Sequence, residues 1–221
     1  MHFIDTVYNG IDVEKVPFSD KGESEDLVYI SRLDEQKGSH LALEVSLKLK
    51  KRIKIIGRPE TENPYQYKYY LEKVKPLLQN SLVHYYGELS PMEKMPLLLS
   101  SKLFIFPLCW EEPFGLVMIE AMATGTPIVA FARGAVPEMV EDGVTGFIVN
   151  SSSEDNRGDW VVKKTGVEGL REAVERIYAM GQEQYQHMRV ACRKRVADRF
   201  TKEKMVEGYI DVYRKILGDK I

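Results

Sequence analysis

Two carboxylates, Glu112 and Glu120, bracket the stretch of the chain richest in chemistry, with Pro113-Phe114-Gly115 and a run of apolar residues between them. In Leu116–Ala123, Glu120 is the only polar side chain, and its neighbours are apolar on every side. Burying a carboxylate without a partner costs several kcal/mol. Glu120 must therefore either meet a cation or open into a cleft that holds a hydroxyl-bearing ligand. Pro113 and Gly115 suit a tight helix start, where a phosphate can reach free backbone N–H groups. Two acids beside such a site are wrong for phosphate itself. They make sense if one accepts ribose hydroxyls and the other accepts sugar hydroxyls. Glu112 has a second reading as a carboxylate that caps the helix N-terminus.

The elements that must position these groups alternate along the chain. Short apolar runs at Leu27–Ser31, Arg52–Ile56, Leu82–Tyr86, Leu103–Pro107, Pro127–Phe131 and Phe147–Val149 predict six strands. Helical patterns fall between them at about His40–Lys51, Tyr65–Gln79, Pro91–Ser100 and Leu116–Ala123. The tail Val167–Leu217 reads as helices with breaks near Gly181 and Phe200-Thr201. This rhythm predicts an α/β fold, a Rossmann-like parallel sheet of about six strands with helices on both faces. Residues 1–26 read as an entry segment or linker, 27–200 as the Rossmann-like unit and 201–221 as a terminal helix. Ligands of such sheets sit beyond the carboxyl ends of the strands. That rule selects Arg32–Lys37, Gly57–Arg58, Gly87–Lys94 and Trp110–Gly115.

Composition excludes several function classes. A formal charge of −2 over 221 residues argues against a nucleic-acid surface, which needs a basic excess. The two cysteines, Cys109 and Cys192, show neither pairing nor metal spacing and point to a reducing, cytoplasmic setting. No apolar run approaches the ~20 residues of a membrane span. A peripheral membrane contact stays open, with no basic amphipathic helix to support it. The four histidines are scattered and no D-x-D pair occurs, so no metal and no other cofactor is expected. No G-x-G-x-x-G follows the first strand, which argues against a dinucleotide oxidoreductase.

The ordered series Glu112-Pro113-Phe114-Gly115 to Glu120-Ala121-Met122-Ala123 resembles the E-x7-E motif of family 4 retaining glycosyltransferases. The likeness continues through Gly125-Thr126-Pro127, Gly134-Ala135-Val136-Pro137-Glu138 and Asp142-Gly143-Val144-Thr145-Gly146-Phe147. Upstream, Asn9-Gly10-Ile11-Asp12 and Ser31-Arg32-Leu33-Asp34-Glu35-Gln36-Lys37-Gly38 fit the same family. The resemblance spans roughly residues 7–217.

It implies the GT-B architecture, two Rossmann-like domains across a cleft, with this chain as the C-terminal, nucleotide-sugar-binding domain. Arg32 and Lys37 would then neutralise the donor diphosphate, as electrostatic stabilisation of departing charge. Glu112 would contact the transferred sugar, Glu120 the ribose, and the amides of Phe114, Gly115 and Leu116 phosphate or sugar. Leu89 and Lys94 would line the base pocket. Gly57 either flanks the nucleotide or simply ends a strand. Glu138 either supports the loop beside the donor sugar or caps a helix. Relatives often carry two adjacent glycines where this chain has Gly134-Ala135, and Ala135 is expected to be tolerated.

The resemblance further implies a partner N-terminal domain outside this chain, which opens on Met1-His2-Phe3 near the interdomain linker. The helix of about Lys202–Leu217 would either pack on that domain through Met205, Tyr209, Val212, Tyr213 and Ile216 or turn the same face to its own domain. The expected reaction moves a hexose from a nucleoside diphosphate sugar to an acceptor hydroxyl with retention. Two other readings remain at this point, a nucleotide-sugar-binding module without catalysis and a sugar-nucleotide epimerase of the same fold.

Overall fold

The structure, a computed structural model, describes residues 4–218. Met1-His2-Phe3, where the linker was expected to begin, lie outside them. The six apolar runs form strands β1 (Leu27–Ile30), β2 (Ile53–Ile56), β3 (Val83–Tyr85), β4 (Leu103–Phe106), β5 (Ile128–Phe131) and β6 (Gly146–Val149). All pair in parallel, in the order β3-β2-β1-β4-β5-β6. The register sets Val28 beside Lys54 and Phe104, and Ile105 beside Val129.

Successive strand residues face opposite layers, so each strand feeds two cores. One core joins Val28, Phe104, Phe106, Ile128, Ala130 and Ile148 to helices α4 (Leu116–Ala123) and α7 (Gln182–Arg199). The other joins Leu27, Tyr29, Ile53, Ile55, Ile105 and Val129 to α1 (Ser39–Lys48) and α6 (Gly166–Ala179). Helices thus cover both faces, as the strand-helix rhythm requires.

Two stretches depart from expectation. The predicted helix over 65–79 is a six-residue α2 (Pro64–Tyr69) that widens into a π-turn (Tyr70–Val74) and ends in a 3-10 turn (Leu77–Gln79). Pro76 has no N–H to donate and clashes with a continuing ladder, so regular helix cannot pass it. A four-residue helix α5 (Val136–Met139) lies between the fifth and sixth strands, where the sequence pattern assigns no element. α3 (Pro91–Ser100) matches its prediction and opens on a reciprocal capping box between Ser90 and Glu93.

Arg189 on α7 is fully buried. Its guanidinium donates to the carbonyls of Ser19, Leu99, Ser101 and Thr124 and to the Tyr185 hydroxyl. Arg193 reaches the carbonyls of Val13, Val16 and Ala123. Three of these charge-assisted bonds, to Ser19, Val16 and Val13, therefore hold the entry segment to the strand-helix unit. The last helix, α8 (Lys202–Leu217), has no buried residue, and Tyr209, Tyr213 and Ile216 are about half exposed. It touches the entry segment through Lys202–Asp12 and Lys215–Asp5 ion pairs.

Candidate functional site

The strand order reverses between β1 and β4, so the space beyond the carboxyl ends of those two strands is the crevice where such sheets hold ligands. The β1 loop is built by its own short polar residues. Buried Tyr29 donates its hydroxyl to the carbonyls of Arg32 (3.0 Å) and Lys37 (3.1 Å), closing the loop on itself. Asp34, 1% exposed, accepts from the Lys37 amide at 2.8 Å. Burial raises its carboxyl above the ordinary range, against the opposing pull of that amide and of Arg32. Gly38 ends the loop at φ +67°, and a Cβ there would lie 1.9 Å from the Pro107 carbonyl oxygen of the β4 loop. Only glycine lets the two loops pass this closely.

Lys37 and Glu112 meet across the switch point at 2.6 Å, each side chain 12% exposed. The same Glu112 oxygen, Oε2, accepts from Trp110 Nε1 at 3.2 Å. Lys37 Nζ also lies 4.2 Å from the centre of the Trp110 ring, a cation–π contact. Two donors on Oε2 fix the carboxylate plane, and no bond within the described residues takes Oε1. Glu112 does not cap α4, because Gly115 occupies that position at φ +80° with no side-chain bond. Among the described residues, no acceptor takes the amides of Gly115, Leu116 or Val117. A helix N-terminus with open N–H groups thus faces the crevice beside the Lys37–Glu112 pair.

Glu120 takes the first of its two options. Lys94 of α3 reaches it at 2.6 Å, with both side chains about one-sixth exposed. Lys94, read as a base-pocket residue, is thereby bound to the carboxylate read as a ribose acceptor. Arg32 stands farther out, 47% exposed, paired with Asp34 and Glu60 at 3.1 Å each. Phe114 turns its ring into the core against Tyr8 and Phe200, which leaves only its backbone to the crevice. Leu89 packs half-buried on the same core. Gly57 has φ +141°, and a Cβ there would sit 1.8 Å from the Ser31 carbonyl oxygen, so the strand-ending reading accounts for this glycine.

The sequence assigns no role to Trp110, Glu111, Arg133 or Arg157. Trp110 carries no charge, and its tie to Glu112 appears only in three dimensions. Gly134 has φ +51°, and a Cβ there would stand 2.2 Å from the Glu112 carbonyl oxygen. Ala135 is right-handed helical (φ −74°) and needs no glycine, which explains why Gly134 alone suffices at this turn. Glu111, Arg133 and Arg157 form an ion cluster behind the site. The nearby Glu138 accepts from the Tyr8 hydroxyl, tying α5 to the entry segment.

A family model described as "Glycosyl transferases group 1" matches residues 12–195. The chain belongs to this glycosyltransferase family. Among curated relatives, a 41.2 kDa uncharacterised protein in the cps region of Klebsiella pneumoniae is 26% identical over 87% of this chain and 47% of its own length. The alpha-maltose-1-phosphate synthase of Mycobacterium tuberculosis is 35% identical over 54% of this chain and 29% of its own. Anabaena Alr3699/HepE, solved in complex with UDP and glucose, shares the fold with TM-score 0.75 at 19% identity, over 94% of this chain and 55% of that one. Sucrose-phosphate synthase of Thermosynechococcus elongatus gives 0.76 at 20% identity, over 95% and 51%. This glycosyltransferase chain therefore spans less than half the length of those curated relatives and about half of those solved structures. Among its described residues no helix is long and apolar enough to cross a membrane.

Proposed function

We propose that this chain binds the nucleoside diphosphate sugar donor of a retaining hexosyltransferase. The observation that carries the reading is the Lys37–Glu112 pair at the switch point beside the open N-terminus of α4. Lys37, Arg32 and the amides of Gly115 and Leu116 supply positive charge where a diphosphate is to be held. Glu112 Oε1 takes a hydroxyl of the transferred sugar. Glu120, its charge already neutralised by Lys94, takes the ribose hydroxyls through its second oxygen. Leu89 and the turn at Gly57 border the base, and no metal or other cofactor enters the chemistry.

In the reaction, the bond from the anomeric carbon to the phosphate oxygen breaks, and its electron pair goes to the diphosphate. The acceptor oxygen bonds to the same face of that carbon, and its proton passes to the leaving phosphate. Lys37 and Arg32 stabilise the charge that appears on the diphosphate. The acceptor is held by an N-terminal GT-B domain outside this chain, and the exposed apolar side of α8 supports that partner. Half a cleft cannot align an acceptor. The chain alone therefore binds donor and transfers nothing.

Calorimetric titration with UDP, GDP and ADP tests the reading, UDP first because it is the nucleotide in the Alr3699/HepE structures. One diphosphate is expected to bind, and Lys37→Ala to weaken it about 10- to 100-fold, the worth of one charge-assisted bond. Equal affinity of Lys37→Ala and the unsubstituted chain would sink the assignment. So would failure of all three nucleotides to bind at millimolar concentration.

A further inference from the structure

Between β6 and α6 the chain runs through sixteen residues, 150–165, without regular structure. A loop of this length inside an α/β unit is uncommon, and such loops are usually either functional or disordered. This one is tied down along its length. The Asn150 side chain donates to the Asn156 side chain and the Gly158 carbonyl, and accepts from the Arg157 amide and Trp160 Nε1. Asp142 receives the Val161 amide at 2.6 Å.

From this frame Arg157 reaches back to the crevice. Its guanidinium grips both oxygens of Glu111, at 2.8 and 2.7 Å, while its Nε holds Asp155 at 2.8 Å. Arg133, at the end of β5, bridges the same two acids at 3.1 and 2.7 Å. The Gly134 amide adds a third donor to Glu111, at 2.7 Å. Two guanidiniums face two carboxylates, so the cluster has no surplus charge with which to hold an anion. Its effect is mechanical, and it falls on the next residue. The Glu112 carbonyl accepts from the Ala135 amide at 2.9 Å, and the Glu112 backbone lies against Gly134 with no room for a side chain.

We infer that Arg157 is a positioning residue for Glu112: by clamping Glu111 to the 150–165 loop it fixes the carboxylate that meets the transferred sugar, and so sets the sugar's share of donor affinity. This rests on the donor reading above. Arg157 does not touch the donor, and its effect is confined to the sugar end. An angstrom of misplacement is worth up to about 100-fold at such a site.

The test uses Arg157→Ala, Glu111→Ala, the double variant, and Arg171→Ala as a surface control whose partner Glu168 is exposed. Amide hydrogen exchange comes first. Arg157→Ala is expected to speed exchange at Gly134 and Ala135 while leaving Ile128–Phe131 unchanged. Affinities follow for UDP against UDP-glucose, or for the GDP or ADP pair if that base is the one bound. Arg157→Ala is expected to weaken the sugar nucleotide about tenfold or more and the plain diphosphate less than about twofold. The double variant is expected to match Glu111→Ala alone, since one residue acts through the other. Unchanged exchange at Gly134 and Ala135 overturns the inference, as does an equal loss for both ligands or an additive double variant. Failure of the donor reading is seen separately, in the unsubstituted chain, and the exchange measurement still decides whether Arg157 and the 150–165 loop hold Glu111 and Glu112.

Discussion

Replacing Lys94 by methionine removes the only cation that pairs with Glu120 Oε2 among the described residues and keeps the length of the side chain. At 2.6 Å, with an effective dielectric near 20, the gross attraction of the pair is about 6 kcal/mol. Desolvating two ions offsets most of that, and water still reaches a sixth of each side chain. Removing one partner from a fully buried pair costs about 3–5 kcal/mol. For this partly wetted pair about 2 kcal/mol is the expected loss, in line with the penalty for an uncompensated polar group. In a chain of this size that is a fall in Tm of roughly 4–8 °C. Glu120→Met is expected to cost about as much. Urea unfolding of the parent, both single variants and the double variant would measure the coupling. The double variant, which leaves neither charge stranded, should fall within about 1 kcal/mol of the parent. Single losses below about 0.5 kcal/mol, or a double variant as unstable as the sum of the singles, would refute a functioning pair between α3 and α4.

Two further outcomes follow from backbone and charge. Gly134→Ala places a Cβ 2.2 Å from the Glu112 carbonyl oxygen at φ +51°, so a stability loss of about 2 kcal/mol or more is expected in chemical denaturation, against less than about 1 kcal/mol for Gly181→Ala, an N-cap position at φ −63° with open space. The Arg157 guanidinium, and then the Gly134 amide and Arg133, hold the Glu111 carboxyl down to about 2 from an ordinary value of 4.5. A depressed folded value means that the stabilisation is complete above about pH 4.5 and disappears as pH falls toward 2. The stability gap between the parent and Arg157→Ala should therefore be widest near neutrality and narrow below pH 4.5, measured as urea midpoints. A gap independent of pH would exclude the Glu111 contact as its source.

Much of the fold was legible because its signals are local. Four-residue apolar runs such as Leu103–Phe106 are too short for buried helices and fit strands buried on both faces, and their alternation with helices points to a parallel sheet. The α2 region was misread because apolar periodicity continues past Pro76 while the backbone ladder cannot. The short α5 lacks the length that periodicity needs. At the site, an isolated acid within Leu116–Ala123 announces a need for a partner or a ligand, yet it does not say which.

The sequence by itself determined the family series from Arg32 to Phe147 and the place of Glu112 and Glu120 on either side of a helix start. These depend on residue type and spacing along one strand-to-helix connection, which chain order preserves. Only the tertiary structure decided the partners. Lys37 and Glu112 are brought to 2.6 Å because β4 pairs with β1, and Lys94 finds Glu120 because α3 lies beside α4. Arg157 grips an acid 46 positions earlier in the chain. Such contacts join residues of high sequence separation, and their energies depend on distance and burial, which no local pattern records. Spacing thus names the candidate groups, while strand order sets which of them pair.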